Sequence, residues 1–245
     1  MKRKGIVLDV VANNIPHSRG FQPGWGNACL IRRAGNAVLF DTGGDGDFLL
    51  QNLGEVGISP ARINHVVISH EHDDHVGGLW AFLHANRKAL VFAPASFSKA
   101  FKSRVRAAGA RLVLVKGPRM VCKGLYSTGE MKGRKWEQAL ALRTPQGLVI
   151  LTGCAHPGIV RIVERCARLF KDKPHLVLGG FHLKDASGSK IDDVIARLRK
   201  TGLDRIAPNH CTGALAVRMI RSTWGEGFIE TGCGASINIC PRGAT

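Results

Sequence analysis

The sequence feature that most constrains this chain is a run of histidines and aspartates placed directly after an apolar stretch. Residues 63–69 are typical of a buried β-strand, and residues 70–75, which follow at once, read HEHDDH. Three histidines and two aspartates in six residues supply imidazole nitrogen and carboxylate oxygen, the ligand atoms that zinc, iron and manganese accept. Side chains two positions apart share one face of an extended segment. The run therefore predicts a metal site at the end of a strand.

Three later histidines have a similar context. His156, His182 and His210 each follow an apolar run and lie beside glycine or proline, in the segments LTGCAHPG, GGFH and PNHCTG. Loops at strand ends carry functional side chains, so we expect these three histidines to gather at one sheet edge and to complete the ligand set. The histidines that lack this context are interpreted as structural: His17, His65, His84 and His175.

The order of the elements predicts the fold class. Short apolar runs alternate with stretches of helical periodicity, and no internal repeat or low-complexity linker divides the chain. This density of interleaved strands and helices is typical of an α/β protein with mixed sheets and helices packed outside. We therefore predict one domain over residues 1–245, with residues 121–125 and 228–230 among its strands.

Cysteine usage and hydropathy bear on the cellular setting. The seven cysteines form no C-x-x-C pair, so a disulfide framework and a zinc ribbon are disfavoured and a reducing cytoplasm is expected. No uninterrupted apolar segment is long enough for a transmembrane helix, so no membrane partner is expected. The basic residues before Gly5 resemble the start of a signal peptide, but Asp9 interrupts the apolar run, and we interpret this segment as a first strand.

The charge balance suggests anionic partners. The chain has 35 basic and 18 acidic residues, a net charge of +17. Such a field attracts anions over long distances, which favours a small anionic substrate, phosphorylated or not, and leaves nucleic acid open. The alternative explanation of the positive charge is that it serves solubility or reflects the organism's habitat. Net charge affects how a protein associates with other molecules and does not determine its fold.

The H-x-H-x-D-H loop, with the D-T-G turn at residues 41–43, resembles the central motifs of the metallo-β-lactamase superfamily. The resemblance extends from the first strand to Ile239. It implies an αββα sandwich, in which two mixed β-sheets lie face to face with helices on the outer faces and metal binds along one sheet edge. Trp25-Gly26 and the three histidine segments resemble one branch of the superfamily more closely. That branch includes dihydropterin–ribofuranosylaminobenzene phosphate synthases and many metal-dependent hydrolases.

The chain departs from the wider superfamily at two points. Cys154 stands where the superfamily usually has an aspartate that bridges two metals, so Cys154 or His156 replaces that carboxylate or the bridge is missing. A further histidine expected before the strand at residues 148–152 has no match, and His156 is a candidate for its role. The resemblance therefore leaves open one metal ion or two.

The resemblance also implies roles for the ligand-type residues. His70, His72 and His156 would bind a first metal, and Asp74, His75 and His210 a second. Zinc is expected, with iron or manganese as alternatives. A catalytic metal lowers the pKa of its water to about 7, so that hydroxide is the nucleophile, and Asp74 is the candidate catalytic residue that orients it. Three residues have two interpretations each: Asp41 fixes a ligand imidazole or caps a turn, Cys154 is a metal thiolate or a small buried residue, and His182 binds metal or substrate.

Two surface features also have alternatives. Trp25 would stack on an aromatic substrate or be a core or lid aromatic. The basic helix with Lys99, Lys102, Arg104 and Arg106 would be a solvated face or bind a phosphate. Four functions follow from these observations. They are a metal-dependent hydrolase of an ester or phosphoester bond, a synthase-like transferase that ionises a pterin diphosphate, a nuclease, and a non-catalytic binding module.

Overall fold

The computed structural model describes residues 5–33 and 35–239. The basic residues before Gly5 lie outside the described residues, as do Ala34 and Cys240. Two compact units divide the chain, the first comprising described residues up to 116 and again from 232, and the second comprising residues 117–231. The prediction of one domain over 1–245 stays a prediction.

The first unit is built on a seven-stranded mixed sheet. Its strand order is β15-β1-β2-β3-β4-β5-β6 when strands are numbered along the chain. Neighbours from β15 to β3 are antiparallel and neighbours from β3 to β6 are parallel. The strands are β1 (Ile6–Asn13), β2 (Asn27–Arg33), β3 (Asn36–Phe40), β4 (His65–Val67), β5 (Leu90–Pro94), β6 (Arg111–Val115) and β15 (Ser236–Ile239).

Helices of the first unit pack on this sheet through an apolar core. The helices are α1 (Gly46–Glu55), α2 (Asp73–Val76), α3 (Leu79–Ala85) and α4 (Lys99–Ala107), with a 3-10 turn at Pro60–Arg62. Leu53, Phe82 and Phe101 from three of the helices join Leu39 and Val66 of the sheet in one buried cluster. Burying a leucine or phenylalanine fully contributes about 1.5–3 kcal/mol, so this cluster fixes the sheet that carries the HEHDDH run.

The second unit has a six-stranded mixed sheet in the order β14-β13-β12-β11-β8-β7. Strands β12, β13 and β14 are parallel neighbours, whereas β11, β8 and β7 add antiparallel partners. The strands are β7 (Arg119–Cys122), β8 (Leu125–Ser127), β11 (Leu140–Thr144), β12 (Gly147–Thr152), β13 (Pro174–Gly180) and β14 (Arg205–Asn209), with a separate small pair β9 (Met131–Lys132) and β10 (Trp136–Glu137).

Helical crossovers connect the parallel strands of the second unit, as parallel pairing requires. The helices are α5 (Ile159–Phe170), α6 (Gly188–Lys200) and α7 (Ala214–Trp224), with 3-10 turns at His210–Thr212 and Gly225–Gly227. Ile162, Leu198 and Ile220, one from each helix, share a buried cluster with Ile150 and Val177 of the sheet. The ends of β12, β13 and β14 are therefore held by a common core.

Two predicted strands differ from the structure. Residues 121–125 form the turn and inner ends of the β7–β8 hairpin, because Gly124 adopts a positive φ of 80° there. Residues 228–230 form no strand, since Phe228 makes only one bridge, with Ile206, before the chain leaves the sheet. Within residues 5–33 and 35–239, no helix has both the length and the apolar character needed to cross a membrane.

Candidate metal centre

In the first unit, the turn that follows β3 and the HEHDDH run that follows β4 lie at the same edge of the sheet. Strands β3 and β4 are parallel, so their carboxyl ends are adjacent. Asp41 comes directly after β3 and is fully buried, with a positive φ of 58°. The structure thus brings the D-T-G turn next to the histidine run.

Asp41 holds two parts of the run in place. Its Oδ1 accepts the Ser69 backbone N–H at 2.6 Å, and its Oδ2 accepts the Ser69 hydroxyl at 2.7 Å. The same Oδ2 lies 2.8 Å from Nδ1 of His75. Because an ionised carboxylate only accepts hydrogen bonds, Nδ1 of His75 carries the proton and Nε2 keeps its lone pair. This arrangement orients His75 as a metal-binding imidazole is usually oriented.

His70 and His72 present two ring nitrogens to each other. Nε2 of His70 lies 3.0 Å from Nδ1 of His72, and Nδ1 of His70 lies 2.9 Å from the Ser69 hydroxyl. His70 is fully buried, and its ring centroid is 4.2 Å from that of His75. Two nitrogens that bind one zinc ion tetrahedrally at about 2.05 Å lie roughly 3.3 Å apart, so the His70–His72 spacing suits a shared ion.

The last part of the run forms the short helix α2 instead of the expected extended segment and loop. Oδ2 of Asp74 lies 3.8 Å from Nε2 of His75, and the Asp74 side chain is 17% exposed. Gly78, between α2 and α3, allows the chain to approach the D-T-G turn, because a Cβ there would lie 2.2 Å from the Thr42 carbonyl oxygen. Glu71 accepts the Ser98 N–H at 2.6 Å and ties the run to the start of α4.

In the second unit, ligand-type residues follow all three parallel strands. Cys154 and His156 come after β12, His182 after β13, and His210 and Cys211 after β14. The ligand atoms of Cys154, His156 and His182 lie within 4.8 Å of one another, and so do those of Cys154, His210 and Cys211. The expected gathering of the three later histidines at one sheet edge is thus seen within this unit, with Cys154 common to both groups.

Tight backbone packing holds these strand ends. A Cβ on Gly179 would lie 2.1 Å from the Thr152 carbonyl oxygen, so the β12–β13 approach requires glycine there. The Thr212 hydroxyl donates to the Asn209 carbonyl at 2.7 Å and accepts the Phe181 N–H at 3.2 Å. Several non-glycine residues at these turns have the rarely occupied positive φ, namely Ala155 at 58°, His182 at 53° and His210 at 51°.

A buried carboxylate that was not among the predicted site residues supports the Cys154–His156 loop. Glu137, at the end of β10, is 1% exposed. Its Oε1 accepts the N–H groups of Cys154 at 3.1 Å and of Ala155 at 2.9 Å, and its Oε2 accepts that of His156 at 2.7 Å. These charge-assisted hydrogen bonds fix the backbone of the loop. The only signal for this carboxylate in the sequence is a glutamate three residues before the apolar start of β11.

The electrostatics of the second group favour a thiolate. A hydrogen bond with Cys154, another with His182, and the field of His210 outweigh burial and lower the pKa of Cys211 to about 4. The hydrogen bond with Cys211 in turn raises the pKa of His182, against the opposing effect of burial. These contacts therefore favour the thiolate form of Cys211, which a cation would stabilise.

A pocket of about 540 Å³ opens beside His156 and His182. Its wall includes Phe181 and the cationic side chains Arg161, Lys190 and Arg197, together with Glu164. These cations come from α5 and α6 and are exposed. The pocket thus combines ligand-type imidazoles with positive charge.

The structure also places the remaining candidates from the sequence, of which Trp25 directly precedes Gly26, whose Cβ would lie 2.6 Å from the Asp74 carbonyl oxygen. Trp25 is 56% exposed, so it is not a core residue. In the basic helix α4, the Arg104 guanidinium lies 3.8 Å from the Trp80 ring centroid and Lys102 donates to the Ala95 carbonyl at 2.8 Å. His175 Nδ1 lies 3.0 Å from Asp204, which agrees with a structural histidine.

Comparisons with known proteins agree with this arrangement. A 7,8-dihydropterin-6-methyl-4-(beta-D-ribofuranosyl)-aminobenzene-5'-phosphate synthase of Methanocaldococcus jannaschii is 30% identical over 236 residues, covering 78% of this chain and 80% of the synthase. An uncharacterized protein of the same organism is 23% identical over 241 residues, covering 86% of this chain and 92% of that protein. The resemblance to the synthase branch is therefore confirmed.

The fold and the family follow from two further matches. The crystal structure of a metal-dependent hydrolase of the β-lactamase superfamily superposes with a TM-score of 0.81 at 24% identity, covering 96% of this chain and 99% of that chain. This match confirms the predicted fold class, an α/β fold with two mixed sheets. The sequence profile of the metallo-beta-lactamase superfamily matches residues 22–160. The chain therefore belongs to the metallo-β-lactamase superfamily, whose fold implies divalent-metal binding.

Proposed function

We propose that this protein is a metal-dependent hydrolase that cleaves an ester or phosphoester bond of a small anionic substrate. The observation that carries the proposal is the pocket in which His156 and His182 lie beside Arg161, Lys190 and Arg197. Ligand-type imidazoles next to cationic side chains suit a substrate whose reacting group is itself anionic, such as a phosphate.

The residues present fit one or two divalent ions. The first unit offers the His70–His72 nitrogen pair and a His75 imidazole that Asp41 orients. The second offers two groups of three donors that include Cys154. Nitrogen, carboxylate and thiolate donors together favour zinc, with ferrous iron as the alternative. The family resemblance supplies the proposed assignment, in which His70, His72 and His156 bind one ion and Asp74, His75 and His210 bind the other.

In the proposed hydrolysis, different residues of the protein would bind the substrate, orient the water and position a metal ligand. Arg161, Lys190 and Arg197 bind the substrate anion and reduce its repulsion toward an incoming nucleophile. Asp74, partly exposed beside His75, orients the attacking water and accepts its proton. Asp41 holds the tautomer of His75. When bound, the metal supplies Lewis-acid polarisation of the bond to be cleaved.

The test is metal analysis followed by a substrate screen. Protein purified without chelator is compared with a His72→Ala/Asp74→Ala double variant and with a matched His84→Ala control, since His84 lies on the exposed side of α3. We expect zinc or iron, together with hydrolysis of phosphomonoesters, phosphodiesters or diphosphates, in the wild type and the control only. A wild type that binds no metal after reconstitution, or a double variant that keeps full activity, would contradict the proposal.

The pocket cations have a separate test. Substitution of Arg197 by alanine is expected to raise KM for a phosphorylated substrate by about tenfold, which corresponds to loss of one charge-assisted contact. The same variant should bind metal normally, because Arg197 is not among the donors. An unchanged KM would place the substrate anion elsewhere.

A second candidate function is a synthase-like transfer, and one observation favours it: the 30% identity to the named synthase over 80% of that protein. In this reaction a pterin diphosphate loses diphosphate and an aminobenzene riboside phosphate takes its place. Diphosphate release that requires the aminobenzene acceptor, with a condensed product detected by mass spectrometry, would favour the transferase. Release without acceptor would favour the hydrolase.

A further inference from the structure

We propose that Cys211 is a second thiolate ligand beside Cys154, so that the second unit holds a metal position with two sulfur donors and His210. The inference rests on the proposed function in one respect, since it requires that the protein bind a divalent metal. It goes beyond that function because it names a sulfur-rich position and predicts which metals it selects.

The three donors converge in a buried place. Cys154, His210 and Cys211 are only 4%, 5% and 8% exposed, and their ligand atoms all lie within 4.8 Å of one another. Two sulfurs that bind one zinc ion tetrahedrally at about 2.3 Å lie roughly 3.8 Å apart, which this cluster can satisfy with small movements. Burial removes competing water and strengthens charge interactions at such a position.

The backbone is shaped around the Cys211 sulfur. A Cβ on Gly180 would lie 2.6 Å from Sγ of Cys211, so glycine at the end of β13 leaves the space that this sulfur occupies. The Lys184 N–H donates to the Cys211 carbonyl at 3.3 Å, and His210 adopts a positive φ of 51° immediately before it. A cysteine such as Cys166, by contrast, lies among the aliphatic side chains of the α5 core.

Two thiolates change the metal preference of the site. Sulfur ligands favour zinc and ferrous iron, whereas magnesium and manganese favour oxygen. Cys154 also belongs to the group with His156 and His182, so its sulfur is shared by both groups of donors. We infer that sulfur from Cys154 and Cys211 replaces the oxygen ligand that the wider superfamily supplies at the position of Cys154.

The experiment uses Co²⁺ as a spectroscopic probe on the full chain. Metal-free, reduced wild-type protein, Cys154→Ser, Cys211→Ser and a Cys122→Ser control are titrated with Co²⁺ without oxygen. Cys122, half-buried at the end of β7, serves as the matched thiol outside the cluster. We expect a near-ultraviolet sulfur-to-cobalt charge-transfer band that falls by about half in Cys211→Ser and is unchanged in the control, because its intensity follows the number of cobalt–sulfur bonds. Zinc affinity should fall at least tenfold in Cys211→Ser, about the least that loss of a supporting residue costs.

A measurement on the wild-type protein tests the inference even if the cysteine variants fail to fold. Zinc-edge X-ray absorption of protein loaded with zinc should show two sulfur scatterers at about 2.3 Å. Fewer than two, or a Cys211→Ser spectrum equal to that of the wild type, would overturn the inference. Co²⁺ bound with visible ligand-field bands but no charge-transfer band would overturn it while leaving the metal-dependent function intact. A wild type that binds no Co²⁺ would overturn both.

Discussion

Replacing Glu137 by glutamine is expected to destabilise the protein and loosen the Cys154–His156 loop. An amide oxygen at the Oε1 position can still accept the N–H groups of Cys154 and Ala155, but the amide nitrogen would face the His156 N–H that now donates to Oε2 at 2.7 Å. The change therefore removes one charge-assisted hydrogen bond, weakens two and sets two donors against each other. A hydrogen bond to a charged group contributes about 1.5–3 kcal/mol, so we expect a loss of about 2–4 kcal/mol.

The assay is urea denaturation of the metal-free protein, followed by circular dichroism, with Glu226→Gln as the control. Glu226 is an exposed glutamate of the same unit, and its substitution should change the free energy of unfolding by less than about 0.5 kcal/mol. At temperatures where Glu137→Gln is folded, its zinc affinity should be about 10–100-fold lower, as for other groups that orient metal ligands. A folded variant that loses less than about 0.5 kcal/mol, with wild-type zinc affinity, would refute this account of the loop.

Three further outcomes are expected. Asp41→Asn should lower zinc affinity about 10–100-fold, because an amide no longer fixes the tautomer of His75. Calorimetric titration with zinc measures this affinity, and a wild-type value would contradict the role of Asp41. Gly180→Ala should cost about 1–3 kcal/mol in thermal denaturation, since its Cβ would lie 2.6 Å from the Cys211 sulfur, whereas Gly188→Ala, with no atom within 4 Å of its Cβ, should cost nothing. Burial lowers the pKa of His65, so the unfolded chain binds more protons than the folded chain, and the free energy of unfolding should fall as pH drops below about 6.5. The variant His65→Gln should lack this pH dependence. Equal pH dependence in the two proteins would show that His65 is not its source.

The fold class could be predicted because its signals are local in the sequence. The HEHDDH run follows an apolar strand, and strands alternate with amphipathic helices such as α5. The prediction of a strand at residues 228–230 was wrong because strand pairing depends on a partner that is distant in the sequence. Phe228 pairs only with Ile206, through a single bridge. Periodicity cannot show whether a partner is available.

The candidate site was predictable in its donors and not in its supports. Each of His156, His182 and His210 carries its signal in neighbouring glycine or proline, and the structure brings them to adjacent strand ends. Glu137 carries no such signal, because its partners are backbone groups of a loop that begins 17 residues later. Backbone N–H groups look the same in every residue, so only the folded chain shows which carboxylate accepts them. The roles of the donors as metal ligands stay a prediction.

The turns with positive φ have a consequence for laboratory evolution of this chain. A non-glycine residue in this conformation costs about 1–3 kcal/mol where side-chain hydrogen bonding gives no relief, a large share of the 5–15 kcal/mol by which proteins are stable. This conformation occurs at Asp41, Ala155, His182 and His210. Among these four residues, only Ala155 has no side-chain atom that could bind a metal or orient a metal ligand. Selection for heat resistance alone would therefore favour glycine where the side chain gives no such relief, but it would keep Asp41, whose carboxylate accepts two hydrogen bonds from buried Ser69. Selection that also demands metal would be restricted to Ala155, and the two mutational histories would diverge at His182 and His210.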